Sequence, residues 1–249
     1  MLRSLGLFLF TFGLFTFTIG TQAQEAKMHS AIKPAPRDEK WVKRHEGFVE
    51  MVKKGDVELV FLGDSITDAW GGEKHNAKAP GAASFEKVFV PMKAINLGIG
   101  GDRTQHVLWR LQNGEFEGIT PKVVMLMIGT NNSNGKDNSA EEIAEGVKAI
   151  VKEIHKLSPK TKVLLLAVFP RGAKPNPQRE KIAEVNKIIA KLDDEGKTVK
   201  YLDIGPKFLK EDGELTKDIM PDFLHLSPKG YEIWTDAVKD AIVEMMKSK

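Results

Sequence analysis

Cysteine is missing from all 249 residues. Its absence excludes a disulfide framework, a thiolate nucleophile, thiolate-ligated zinc or iron–sulfur centres and a lipid-bearing cysteine. No H-E-x-x-H or comparable histidine spacing occurs, so no metal site is expected. An excess of either charge is also lacking, because 37 Lys and Arg face 34 Asp and Glu and the lysines spread along helical stretches. Nucleic-acid binders concentrate basic charge on one surface, so nucleic acid is not an expected partner. Long apolar runs are missing beyond one, Leu5 to Ile19 (LGLFLFTFGLFTFTI).

That run is too short to span a bilayer comfortably. Preceded by Arg3 and followed by Gly20, Thr21, Gln22 and Ala23, it has the layout of a secretory signal peptide with cleavage after Ala23. The expected division is residues 1–23 signal peptide, 24–37 linker with Pro34 and Pro36, and 38–249 one globular domain. Export to the periplasm or medium follows, with no stable membrane insertion after processing. The 41% hydrophobic and 29% charged residues are ordinary for a chain that folds around a core.

Asp38 to Lys54 carries apolar residues at spacings of three and four, which predicts an amphipathic helix ending near Gly55. Short, almost continuously apolar runs then alternate with longer helical stretches. Val57–Leu62, Ala94–Leu97, Lys122–Ile128, Lys162–Phe169 and Val199–Ile204 read as strands covered on both faces. Thr104–Asn113, Ala140–Leu157, Pro177–Glu195 and Pro228–Lys247 read as helices. The alternation predicts a single doubly wound, flavodoxin-like α/β domain with a five-stranded parallel sheet and helices on both faces. Ligands of such a sheet sit at the carboxyl ends of its strands, which singles out the turns after each one.

After the first strand comes Gly63-Asp64-Ser65-Ile66-Thr67-Asp68, where a hydroxyl two residues past a buried strand suits a nucleophile, though Asp and Ser are also ordinary helix caps. Thr67 stands where the G-x-S-x-G elbow needs glycine. After the second comes Gly98-Ile99-Gly100-Gly101-Asp102-Arg103. Arg103 breaks the dinucleotide fingerprint, so no cofactor is expected. The glycines still expose backbone N–H groups beside a helix start, as an anion or a developing oxyanion requires, or else simply make a tight turn. After the third comes Gly129-Thr130-Asn131-Asn132, whose amides can donate into the crevice or cap a turn.

Near the C-terminus, His225 alone among six histidines has a carboxylate, Asp222, three residues before it in a loop able to fold back onto the ring. His45, His106 and His155 fall on helices, where packing is the ordinary role. Nucleophile, base, orienter and amide donors at one sheet edge are the parts of acyl transfer through a serine ester. Trp41, Trp109 and Trp234 read as packing residues, and Trp70 as either crevice or core. Asp64 could brace the neighbouring turns, and the loop from Arg171 to Arg179 could overhang the site.

The stretches FLGDSIT, NLGIGGDRTQHVLWRLQNGE, IGTNN, FPRGAKPNPQR and DFLHLSPKGY resemble the SGNH, or GDSL-type, hydrolases over roughly residues 40 to 245. Within that family the likeness runs to the type I platelet-activating-factor acetylhydrolase catalytic subunits. The resemblance implies Ser65 as nucleophile, His225 as general base and acid, and Asp222 as its orienter. It implies an oxyanion hole of the Ser65 and Gly101 N–H groups with the Asn131 side chain, and a short-acyl pocket of Ile66, Thr130 and Leu224. It also implies a homodimer. Those subunits are cytosolic, whereas this N-terminus reads as exported, and exported bacterial members resemble esterases that deacetylate polysaccharides or sugars. The expected activity is therefore acetyl-ester hydrolysis on acetylated carbohydrate or a platelet-activating-factor-like phospholipid, falling at acid pH where the base is protonated. The alternatives are a lysophospholipase or thioesterase for longer acyl chains, and a non-catalytic carbohydrate- or lipid-binding module.

Overall fold

A computed structural model describes residues 28–71 and 78–247 of the chain. The expected signal peptide, 1–23, and His75 lie outside the described residues. The first long helix, α1 (Glu39–Val52), starts at Asp38, whose carboxylate accepts the Trp41 N–H, and turns Trp41, His45, Phe48 and Val52 inward. Strand β1 (Leu59–Gly63) follows, then the single-turn α2 (Ser65–Asp68) and the short α3 (Ala82–Ser84), which runs into a π-helical turn at Phe85–Phe89. Next come β2 (Ala94–Asn96), α4 (Thr104–Gln112), β3 (Val123–Met127) and α5 (Ala140–Leu157). The chain closes with β4 (Lys162–Leu166), α6 (Pro177–Ile189), β5 (Val199–Leu202) and α7 (Pro228–Lys247). Helix α5 has both halves of a capping box, Ser139 on the Glu142 N–H and Glu142 on the Ser139 N–H.

All five strands pair in parallel, in the order β2-β1-β3-β4-β5. This is the doubly wound α/β sheet expected from the alternation of apolar runs and helices. Alternate strand residues face opposite ways and feed separate cores. Val60, Leu62, Val124, Leu126, Val163 and Leu165 pack with α1, α4, α5 and α6. Leu59, Phe61, Val123, Met125, Leu164 and Leu166 pack with Phe85, Phe89, Trp234 and the rest of α7. Burial on both faces is why these strands show no apolar–polar alternation in sequence. The winding reverses between β1 and β3, and the turns after β1, β2 and β3 meet at that point. Among the described residues no helix is long and apolar enough to cross a membrane.

Some expectations change. The described part of the expected linker, residues 28–37, is docked on the domain. Ser30–Ile32 form a 3₁₀ turn, Ala31 is fully buried with its carbonyl accepting the Thr104 hydroxyl, and Ala35 N–H donates to Gln105. Two prolines there shape an extended strap, because proline restricts φ without requiring solvent exposure. The α-helical part of the expected Pro177–Glu195 helix stops at Ile189, tightens to a 3₁₀ turn at Ala190–Leu192, and gives way to a turn whose N–H groups Asp193 and Asp194 accept. The segment between the first two strands, left unassigned by periodicity, holds the aromatic turn Phe85–Phe89. Trp70 belongs to the core: it is fully buried, edge-on to Phe61, Phe89 and Tyr231.

Candidate active site

Strand β1 ends on Gly63, where a Cβ would overlap the Thr67 hydroxyl and the Met127 carbonyl, so only glycine lets β1, β3 and α2 converge. Asp64 then caps α2 by accepting the Ile66 N–H at 3.0 Å. Ser65 is the first residue of that helix, so its N–H has no carbonyl one turn back and stays available. Its Oγ lies 2.9 Å from Nε2 of His225, a residue 160 positions further along the chain.

The His225 ring is set by Asp222. Oδ2 of Asp222 is 2.7 Å from Nδ1, while Oδ1 accepts the N–H groups of Leu224 and His225 at 3.0 and 2.7 Å. Phe223 between them has φ +61°, a left-handed residue that closes the loop tightly. Its carbonyl accepts the Gly172 N–H, which ties this loop to the one after β4. Partial burial pushes the Asp222 carboxyl up, but the hydrogen bonds from the His225 N–H and ring and from Leu224 outweigh it and hold the group below its ordinary value. A carboxylate can only accept, so Nδ1 carries the proton and Nε2 presents its lone pair to Ser65 Oγ–H.

The glycine turn after β2 lies against the serine: a side chain at Gly100 would come within 3.8 Å of Ser65 Cβ. Asp68, one turn after Ser65, accepts the Gly100 N–H and pairs with the Arg44 guanidinium. Asn96 ties the base of the turn, accepting from Gly98 N–H and donating to the carbonyls of Asp68 and Gly71. Gly101 has φ +79° and is exposed. Asn131, after β3, donates its side-chain amide to the Asp102 carbonyl at 2.9 Å, which leaves its second amide hydrogen uncommitted.

Asp102 anchors these parts from below. Its buried carboxylate accepts from Trp41 Nε1 at 2.7 Å and Arg37 at 3.2 Å, and forms an ion pair with Arg110 Nε at 3.0 Å. Trp41 therefore packs, as expected, and also anchors a carboxylate. Burial raises the Asp102 carboxyl, and these three cations and donors reduce that rise without cancelling it. Asp64 is more extreme. It is fully buried, one oxygen has no partner among the described residues, and burial pushes it up to about 7 despite the Ile66 N–H.

Of the expected acyl pocket, Ile66 is buried in the second core and Leu224 packs against that same core. Thr130 is buried with its hydroxyl 3.3 Å from the Arg171 guanidinium, which also reaches the Thr130 carbonyl and Asn134. Ser65, Asp222 and His225 form one hydrogen-bonded chain, and the Gly101 and Asn131 turns adjoin it. Sequence reasoning passed over Arg37, Arg44, Asp68 and Asp102. Asp68, three residues beyond Ser65 on a helical turn, was the one with a readable signal.

The residue pattern that defines the GDSL-like lipase/acylhydrolase family matches residues 61–233. The chain belongs to this family. The platelet-activating factor acetylhydrolase IB subunit alpha1 of Rattus norvegicus is 40% identical over 206 residues, covering 81% of this chain and 84% of that protein. Among solved structures, a carbohydrate acetylesterase from Sinorhizobium meliloti has a TM-score of 0.58 at 20% identity, covering 76% of this chain and all of its own (100%). A catalytic mutant of an acetylxylan esterase from Geobacillus stearothermophilus superposes with a TM-score of 0.58 at 18% identity, covering 78% and 95%. These two share the fold. As a GDSL acylhydrolase the protein is a carboxylic ester hydrolase.

Proposed function

We propose that this GDSL hydrolase removes acetyl groups from an ester-bearing carbohydrate or a platelet-activating-factor-like phospholipid through an acetyl-enzyme on Ser65. The observation that carries the reading is the unbroken chain from Ser65 Oγ to His225 Nε2 at 2.9 Å and from His225 Nδ1 to Asp222 at 2.7 Å. Ser65 Oγ attacks the ester carbonyl as His225 takes its proton. The negative charge moves to the carbonyl oxygen, where the N–H groups of Ser65 and Gly101 and the Asn131 amide stabilise it. Collapse expels the alkoxide, which takes the proton from His225 and leaves as an alcohol. Water then attacks the acetyl-enzyme, again passing its proton to His225, and acetate departs as Ser65 recovers its hydrogen. Asp222 holds the ring in the tautomer that accepts and stabilises the imidazolium between steps.

Acetyl preference is supported by the names of the 40% identical relative and of the two fold neighbours, all of which refer to acetyl esters. Ile66, Thr130 and Leu224 would set the short acyl site. The test compares nitrophenyl acetate with nitrophenyl octanoate, and acetate release from acetylated xylan, acetylated monosaccharides and an acetyl glycerophospholipid. Faster turnover of octanoate overturns the acetyl assignment. Full activity in Ser65→Ala overturns the serine mechanism.

We also propose that the protein is exported with residues 1–23 removed, on the layout of Leu5–Ile19 and Ala23. Recovery of the protein from the cytosol contradicts the export, and exported protein with an intact Met1 contradicts the cleavage. The relationship to subunits supports a homodimer in solution, and a monomer mass by sedimentation contradicts that.

A further inference from the structure

We propose that Arg37 is a positioning residue for the oxyanion site, orienting the Gly101 N–H from outside the pocket. The inference rests on the acyl-transfer reading above and concerns which residues hold its electrostatic groups in place.

A trans peptide is planar, so its C=O and N–H point in opposite directions. Fixing the Gly100 carbonyl therefore fixes the Gly101 N–H. The Arg37 guanidinium donates to the Gly100 carbonyl at 2.7 Å. On the other side of that plane the Gly101 N–H has no hydrogen-bond partner among the described residues, and the turn lies against Ser65. With glycine on both sides, this peptide has no Cβ restraint against rotating, and Gly101 already sits at φ +79°. An external pin is what keeps its N–H aimed at one place. The preceding peptide has its own pin, Asp68 on the Gly100 N–H, so the two neighbouring peptide planes are held separately.

The guanidinium is also packed where a side chain at Gly101 would go, 3.2 and 3.3 Å from the two terminal nitrogens. A cation hydrogen-bonded to a carbonyl polarises the peptide and makes its N–H a stronger donor, which favours an anion on the far side. Arg37 touches Asp102 as well, at 3.2 Å, and the Asp102 carbonyl receives the Asn131 amide. Trp41 and Arg110 hold Asp102 independently of Arg37. Loss of Arg37 should therefore release Gly101 while leaving Asn131 in place. The strap carrying Arg37 is itself anchored by Ala31, Ala35 and the Asp38 cap, so its course does not depend on the guanidinium.

The test uses the full chain with Arg37→Ala and Arg37→Lys, and Ser65→Ala as the reference for the mechanism, on nitrophenyl acetate. Arg37→Ala should lower kcat about tenfold to a hundredfold, less than or equal to loss of a whole oxyanion donor, with KM within about twofold. Arg37→Lys, which keeps one cationic donor for the carbonyl, should recover part of kcat. Guanidinium ion at tens of millimolar should restore activity to Arg37→Ala and do nothing for wild type. Wild-type kcat in Arg37→Ala, or a loss that tracks only the unfolded fraction and is not rescued by Lys or guanidinium, overturns the positioning role while leaving the serine mechanism intact. Activity persisting in Ser65→Ala brings down the mechanism itself, and the role of Arg37 with it.

Discussion

Asp68 Oδ2 accepts the Gly100 N–H at 3.1 Å, joining the helix that begins with the serine to the glycine turn after the next strand. One carboxylate thus sets the spacing between two turns that are 32 residues apart. Arg44 holds that carboxylate with two nitrogens, at 3.1 and 2.5 Å, and also reaches the Gly98 carbonyl. Replacing Asp68 by Ala removes the acceptor of the Gly100 N–H and leaves Arg44 with the Gly98 carbonyl but no carboxylate. We expect kcat on nitrophenyl acetate to fall about tenfold or more, with a stability loss of about 1–3 kcal/mol in urea unfolding. Unchanged kcat would show that the turn keeps its place without Asp68.

Gly98 leaves no room for a side chain against the backbone of α2. A side chain there would come within 2.8 Å of Asp68 Cα and closer still to the Asp68 N–H. Gly98→Ala must push β2's turn away from α2, and overpacking of this kind costs about 1–3 kcal/mol. Activity should suffer more than stability, because the displacement falls between Ser65 and Gly101. A crystal structure of the variant with the turn unmoved would contradict this.

Arg110 lies fully buried between two acids, Asp102 with Nε at 3.0 Å and Glu115 on Nη1, and also donates to the Leu97 carbonyl. Arg110→Met would leave the buried Glu115 carboxylate without its guanidinium and Asp102 with only Trp41 and Arg37. The expected loss is about 3–5 kcal/mol, measured by urea denaturation at neutral pH. The deficit should shrink as pH falls and the Asp102 carboxyl, already raised by burial, takes up a proton; a constant deficit across pH would assign it to packing instead.

Two buried groups give opposing pH dependences. Burial raises Asp64 to about 7, so between about pH 4 and 7 the folded state keeps a proton that the unfolded chain has released. Its contribution is present below about pH 4 and is lost as pH rises toward 7. His106 is pushed down to about 4 by burial, with Arg37, Arg103 and Arg110 adding to it, and its Nδ1 accepts the Arg103 N–H. Its contribution is present above the ordinary histidine value and is lost as pH falls toward 4. Asp64→Asn should therefore gain stability relative to wild type between pH 4 and 7, by up to about 4 kcal/mol. His106→Gln should gain, by up to about 3 kcal/mol, as pH falls from 6.5 to 4. Parallel stability profiles of both variants and wild type would sink this account.

The sheet and its major helices were readable from local pattern, because a strand covered on both faces must be apolar throughout. The bounds of α5 at Ala140 and Leu157 match those read from the sequence, and the structure adds the Ser139–Glu142 capping box at its start. Ser65 and the Asp222–His225 pair stood out for a similarly local reason, as reactive groups in turns immediately after a strand or before a helix, whereas Gly101 and Asn131 were distinguished from the neighbouring glycines and amides of their turns only by the family resemblance. What the chain order did not disclose is which charges hold them. Arg37 sits in a proline-bearing strap that looks like a linker, and Arg44 on a helix face that looks solvated. Their carbonyl and carboxylate partners lie 24 to 65 residues away. A hydrogen bond between distant residues leaves no periodic trace in either one, since it depends on where packing brings two backbones together. Only the tertiary fold decides that.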